Sequence, residues 1–174
     1  MSYIIPVDIA VKQTIIDQYS SNLVGKKLSL SELYDLESIL QEDLIRIASK
    51  KNVAYDIVSG NLMYFEANLS LEHRIGCFPP LWEGNPAWGL SIPILNSGSI
   101  ELSYFTGNYT KTFVETDKSV WYVPNWEGEP ELVESELISS TILMNLETPF
   151  SYQNQSSNPS MILNLRFTPS LLAV

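Results

Sequence analysis

Chemistry in this chain is limited first by its imidazoles. One histidine, His73, occurs in 174 residues. It stands next to Glu72 and in His-x-x-x-Cys spacing with Cys77. A structural zinc needs four nitrogen, sulfur or carboxylate ligands, mostly His and Cys. No further His or Cys exists, so this trio reads as something other than a metal site. A cysteine nucleophile needs an activating base, and His73 is the sole imidazole. Cys77 therefore reads as a small buried hydrophobe, and His73 as a polar surface or strand-end residue. Carboxylates are the remaining option. Glu83 and Glu127 sit in the repeated segments Trp82-Glu-Gly and Trp126-Glu-Gly. Paired carboxylates hydrolyse glycosides, and aromatics beside acids can bind sugars. The same segments also read as loops, each with one anchoring Trp. Neither a Gly-rich phosphate loop nor a Gly-x-Ser-x-Gly elbow is present.

The elements that must carry these residues show two regimes. Asp8 can cap a helix over 9–20, with Val11, Ile15 and Tyr19 at helical spacing. Ser29 and Glu32 have capping-box spacing, and Leu33, Leu36, Leu40, Leu44 and Ile47 form one apolar stripe. From Val53 the period shortens. Val53–Val58 and Leu62–Asn68 read as strands around a Ser59-Gly60-Asn61 turn. Further strands are predicted at Ala87–Leu95, Ser99–Phe105, Thr110–Glu115, Ser119–Val123 and Leu137–Leu146. Thr148–Asn154 is extended, since Pro149 disfavours helix at Thr148. Asn154–Pro159 is a run of turn formers. Met161, Leu163, Leu165 and Phe167 then alternate with Ile162, Asn164 and Arg166, the period of a half-buried strand.

Composition narrows the function classes. Net charge is -10, from 20 acids and 10 bases. A field of that sign repels phosphate and argues against nucleic-acid and anionic-membrane binding. Glu127, Glu129, Glu131, Glu134 and Glu136 follow one another with no base among them. They read as a solvated loop, or as an acidic face for a basic partner. No apolar run reaches the roughly 18–20 residues that cross a bilayer, and the start lacks a secretory pattern. A single cysteine suits a reducing compartment. Trp82, Trp88, Trp121 and Trp126 flank the predicted strands and suit core, rim or interface positions.

The closing Thr148-Pro-Phe150 … Arg166-Phe167 hairpin resembles that of the 2-oxoglutarate/iron(II) oxygenase-like double-stranded β-helix proteins. The short forms among phage reading frames are the most similar. Gly89-Leu-Ser-Ile-Pro-Ile-Leu-Asn96 resembles their Leu-Asn-Ile-Pro-Ile strand, and the similarity runs from about Tyr64 to Phe167. It implies a mainly β (α+β) jelly-roll with N-terminal supporting helices. One domain, 1–174, is expected: helical support over 1–52, the jelly-roll over 53–168 and a tail over 169–174. The family's iron needs two histidines and a carboxylate, which one histidine cannot supply. Phe150 stands at the last metal-histidine position. Gly76–Pro86 contains no His-x-Asp, and Ser160 stands where the cofactor arginine opens the last strand. Arg166 matches only the Arg-Phe at its end. The resemblance thus implies a domain without catalysis, metal or cofactor. It would serve binding or assembly, as a phage structural or accessory protein of virion or host cytoplasm. A protein partner or self-assembly is expected, with neither nucleic acid nor membrane. Trp88, Phe150, Asn164 and Arg166 are the candidate pocket, with Trp88 and Phe150 filling it. Phe78, Trp82, Trp121 and Trp126 are the candidate interface. The alternatives are a small-ligand binder using Asn164 and Arg166, and an iron-independent carbohydrate enzyme.

Overall fold

Capping and one apolar stripe set the helical layer. The computed structural model describes residues 2–47, 56–70, 73–76, 88–117 and 120–168. Helix α2 (Leu30–Ile47) opens on a reciprocal cap. The Glu32 amide donates to Ser29 Oγ at 3.2 Å, and the Ser29 amide donates to Glu32 Oε2 at 3.1 Å. Leu33, Leu36, Leu40 and Leu44 are buried, and Ile47 is half-buried. Helix α1 (Lys12–Tyr19) is shorter than predicted, and Asp8 does not cap it: Val11 holds the cap position without a side-chain bond. Its approach is fixed from α2 instead. The Ala10 amide donates to Asp43 Oδ1 at 2.9 Å, and buried Asp43 also pairs with Arg46.

The strands are β1 (Ile4–Pro6), β2 (Lys26–Lys27), β3 (Asp56–Phe65), β4 (Ile75–Gly76), β5 (Trp88–Leu95) and β6 (Ile100–Thr106). They continue with β7 (Tyr109–Glu115), β8 (Val120–Trp126), β9 (Glu131–Leu137), β10 (Ile142–Asn145), β11 (Phe150–Asn154) and β12 (Ser160–Thr168). One sheet has the order β1-β10-β5-β12-β3-β2, and a second has β11-β6-β9. A third, β4-β8-β7, reaches the second through the bridges Arg74–Phe150 and Ser70–Gln153. From β3 to β6 and again from β9 to β12, successive strands pass between the two sides, with the β7–β8 hairpin inserted between. That winding is a jelly-roll. The six-stranded sheet is covered on both faces. Leu90, Ile92, Leu163 and Leu165 pack toward the helices, while Ile162, Met144 and Phe65 pack toward the second sheet. Among the described residues, no helix is long and apolar enough to cross a membrane.

Four predicted elements need correction. Ser59-Gly60-Asn61 is no turn but the middle of β3, with Gly60 opposite Leu165. A Cβ there would lie 2.8 Å from Leu165 Cδ2 and 3.0 Å from Leu28 and Leu33 methyls. The glycine serves close packing under α2 rather than chain reversal. The predicted strand Leu137–Leu146 is two strands, β9 and β10, which lie in different sheets. The acidic run is loop only to Pro130, since Glu131–Leu137 pairs with β6. The closing strand β12 is buried on both faces rather than half-buried, because it lies centrally between β3 and β5.

Candidate functional site

Phe150 is the first residue of β11, where alternation turns Phe150, Tyr152 and Asn154 inward. Arg74 and Phe150 exchange backbone hydrogen bonds of 2.8 and 2.9 Å, so both side chains share the interior face. They meet the inner face of the large sheet. Register sets Asn61, Asn164 and Ser91 in one row across β3, β12 and β5, with Ser59, Arg166 and Gly89 in the next. Phe150, Tyr152, Arg74, Asn164 and Arg166 thereby line one cavity, closed by Met63, Met144, Leu146 and Trp121. Its volume is about 20 Å³, room for about one water.

The floor of the cavity is a buried polar network. Ser91 Oγ donates to Asn164 Oδ1 at 2.5 Å and lies 3.1 Å from Met144 Sδ. Asn164 Nδ2 contacts Met63 Sδ, and the Tyr152 hydroxyl donates to Met144 Sδ at 3.2 Å. Burial pushes the Tyr152 phenol up to about 12, against a weaker downward pull from Arg74 and hydrogen bonds from Asn164 and Ser91. The Arg74 guanidinium lies 4.5 Å over the Trp121 ring. Neither a carboxylate nor an imidazole is among the described lining residues. The donors are two arginines and two asparagine amides, a set suited to an anion or carbonyl and not to a cation. Nothing in it changes protonation near neutral pH, because Arg stays charged and Tyr152 stays neutral.

The lone imidazole faces away. His73 precedes Arg74, and successive residues of an extended chain point to opposite faces. His73 stacks on Phe105 with ring centroids 4.0 Å apart. The Trp126 indole N–H donates to His73 Nδ1 at 3.2 Å, which fixes the neutral tautomer with its proton on Nε2. Burial lowers the His73 pKa below the usual 6.5. Gly107 makes room for this cluster, since a Cβ there would come within 3.1 Å of the Trp126 ring.

Of the four candidate pocket residues, Phe150, Asn164 and Arg166 come together. Trp88 does not. It packs with the helix-side core, on the same face of β5 as Leu90, Ile92 and Ile94. Of the candidate interface residues, Trp121 lies over Arg74 and Trp126 packs on His73 and Tyr109. Phe78 and Trp82 fall outside the described residues, as do Glu72, Cys77 and Glu83. Glu127 is exposed in the β8–β9 turn. Ser160 is buried against Ser99 at the start of β12. Sequence reasoning missed Arg74, Ser91 and the place of Tyr152 in the cavity wall. Only the alternation within β11 pointed to Tyr152. The turn after β11 is held by buried Asn154. Its amide donates to the Glu66 and Asn158 carbonyls at 3.0 and 2.9 Å, and its oxygen accepts from the Ser156 amide at 3.0 Å.

No protein-family model matches the chain, and no curated protein matches it either. Among solved structures it is similar to the Drosophila melanogaster CENP-C cupin domain. Identity is 12% and the TM-score 0.35, over 80% of this chain and 99% of that one. It is also similar to D. melanogaster CENP-C bound to CAL1, at 11% identity and TM-score 0.31, over 78% of this chain and 98% of that one. The jelly-roll assignment follows from the strand order of this chain itself.

Proposed function

We propose that this jelly-roll serves binding or assembly without catalysis, as a degenerate relative of the oxygenase-like phage proteins and a structural or accessory component of a phage particle. The carrying observation is the interior of the fold. Phe150 occupies the position that the family resemblance gives to a metal histidine, and the chain's lone imidazole is committed to Trp126 and Phe105 on the other face. The space left beside Phe150, Asn164 and Arg166, about 20 Å³, falls far below the roughly 300 Å³ of a small ligand site, and the open cleft of about 650 Å³ that borders Arg74 and Trp121 is lined by none of those three. A site filled with side chains leaves the rigid sandwich intact while removing its chemistry. The phage setting comes from the closing-hairpin and Gly89–Asn96 motifs alone.

Two measurements test the reading. Purified protein supplied with ferrous ion and 2-oxoglutarate should neither turn over the keto acid nor gain thermal stability, since a ligand selective for the folded state raises the melting temperature. Turnover would overturn the proposal. Light scattering on the chain alone and with phage particle components should show self-association or co-assembly. A strict monomer that ignores every component would also overturn it.

A further inference from the structure

Strand β9 forms one edge of the β11-β6-β9 sheet, and among the described residues nothing pairs with its outer side. The Ile138 amide donates to Ile100 O at 2.8 Å. Antiparallel alternation then turns the amides of Glu136 and Glu134 toward β6 and those of Ser135 and Leu137 outward. The strand carries Leu132, Val133 and Leu137 at 56%, 41% and 46% exposure. Protein edges are ordinarily guarded by charged side chains, a Pro or a covering segment. The charges on this one are all acidic, with Glu131 and Glu136 exposed and Glu127 and Glu129 exposed just before them, so they deter a neutral or acidic strand and not a basic one.

We infer that β9 is a docking edge for an extended, basic segment of a partner protein, which adds to the sheet as a further strand. The inference rests on the binding reading above and names its surface and partner chemistry. Backbone pairing would supply the affinity and the side chains the selectivity. Charge decides between occupants. A second copy paired antiparallel about Glu134 or Ser135 would set Glu134 opposite Glu134 or Glu136, an in-register parallel copy would stack every glutamate on its twin, and any register joins two chains of net charge -10. Like charges directly opposite are destabilising. The register shift that leaves Val133 unpaired puts Glu131 on the face of Glu136 and Leu132 on the face of Leu137. A strand alternating Lys or Arg with apolar residues then meets both glutamates with opposite charge, and its apolar side chains meet Leu132 and Leu137. Glu134 is already engaged, accepting from the Tyr3 amide at 3.0 Å and from Ser2 Oγ.

The test is an NMR titration of the full chain with a synthetic peptide of alternating Lys and Val, against its Glu-Val counterpart. The basic peptide should slow hydrogen exchange at the Ser135 and Leu137 amides, and the acidic one should not. Ser135→Pro deletes an outward N–H, which an edge strand tolerates. It should weaken binding about tenfold, the equivalent of one hydrogen bond. The exposed pair Glu131→Lys/Glu136→Lys should weaken it at least as much. The control pair Asp35→Lys/Glu42→Lys on α2 carries the same charge change and should weaken it far less. Unchanged exchange at Ser135 and Leu137 on saturation, or equal weakening by the α2 pair, would overturn the inference. Light scattering on the same variants separates the two readings. Assembly that survives all β9 changes keeps the binding function and removes this edge from it.

Discussion

Arg74 and Phe150 face each other across a closely bonded pair of extended segments, and that pairing points the neighbouring His73 out of the sandwich. The same two backbone bonds therefore put an aromatic ring inside and the imidazole outside. One added histidine does not undo that arrangement.

Phe150→His is accordingly expected to bind no stoichiometric ferrous ion, because His73 lies on the opposite face. The variant exchanges a packed Phe ring for an imidazole beside the Tyr104 and Tyr152 rings and the Arg74 and Arg166 guanidiniums, at a cost of about 1–3 kcal/mol. Metal analysis and the denaturant midpoint read both effects. Tight iron binding by this variant would contradict the geometry.

Gly60→Ala is expected to destabilise by about 1–3 kcal/mol, the usual cost of overpacking a closed core. The added methyl would meet Leu165, Leu28 and Leu33 at 2.8 to 3.0 Å. A true turn glycine would cost through its backbone angles and touch nothing. Denaturant melts of Gly60→Ala, alone and with Leu33→Ala, distinguish the two cases: relief by the second change identifies a steric cause.

On the acid side, the His73 pKa is depressed by burial. The unfolded chain therefore takes up this proton first. Stability from the neutral ring is complete above about pH 6.5, the ordinary imidazole value, and declines as pH falls through the folded value. Protonation also removes the acceptor for Trp126. His73→Phe keeps the stack on Phe105 and should flatten this part of the melting-temperature profile relative to the parent. An identical slope in both proteins would show that other groups carry it.

On the alkaline side, Tyr152 and Tyr19 are each raised to about 12, both first by burial. Tyr104 is raised well above 10 by burial, with its hydroxyl donating to Asn145 O at 2.7 Å. The unfolded phenols ionise first, near pH 10. Stability is thus intact below about pH 10 and is lost as pH rises toward 12. Ultraviolet titration should show exposed tyrosines ionising ahead of a late, cooperative group. Tyr152→Phe should remove one phenol from that late group.

Local signals were legible where a short stretch decides the outcome. The Ser29–Glu32 cap, the Leu33-to-Leu44 stripe and the alternation of Met161 to Phe167 all have causes within a few residues. The jelly-roll class followed from those strands and from the motif resemblance. The interior of the site was legible only in part. Asn164 and Arg166 share a face by simple alternation, but Arg74 and Ser91 join them through strand order, which pairs residues far apart in sequence. Trp88 was misplaced because β5 is apolar on the helix side and nearly so on the other. Alternation with Gly89 and Ser91 was the signal that could have assigned its face. Gly60 misled because Ser-Gly-Asn is turn chemistry, and only the approach of α2 reveals another use for the missing side chain.

The central place of β12 has a consequence for synthesis on the ribosome. The strand that separates β3 from β5 is the last of the described strands to emerge. Until it does, β3 and β5 have no native neighbour in common, while α1 and α2 can already coil. Assembly of the sandwich is thus held back until residues 160–168 are free, with long-range pairings that close slowly. The nascent chain carries open flanks and apolar faces through that interval, when aggregation competes most strongly. Truncation before Ser160 should accordingly yield a collapsed, chaperone-dependent polypeptide rather than a smaller domain.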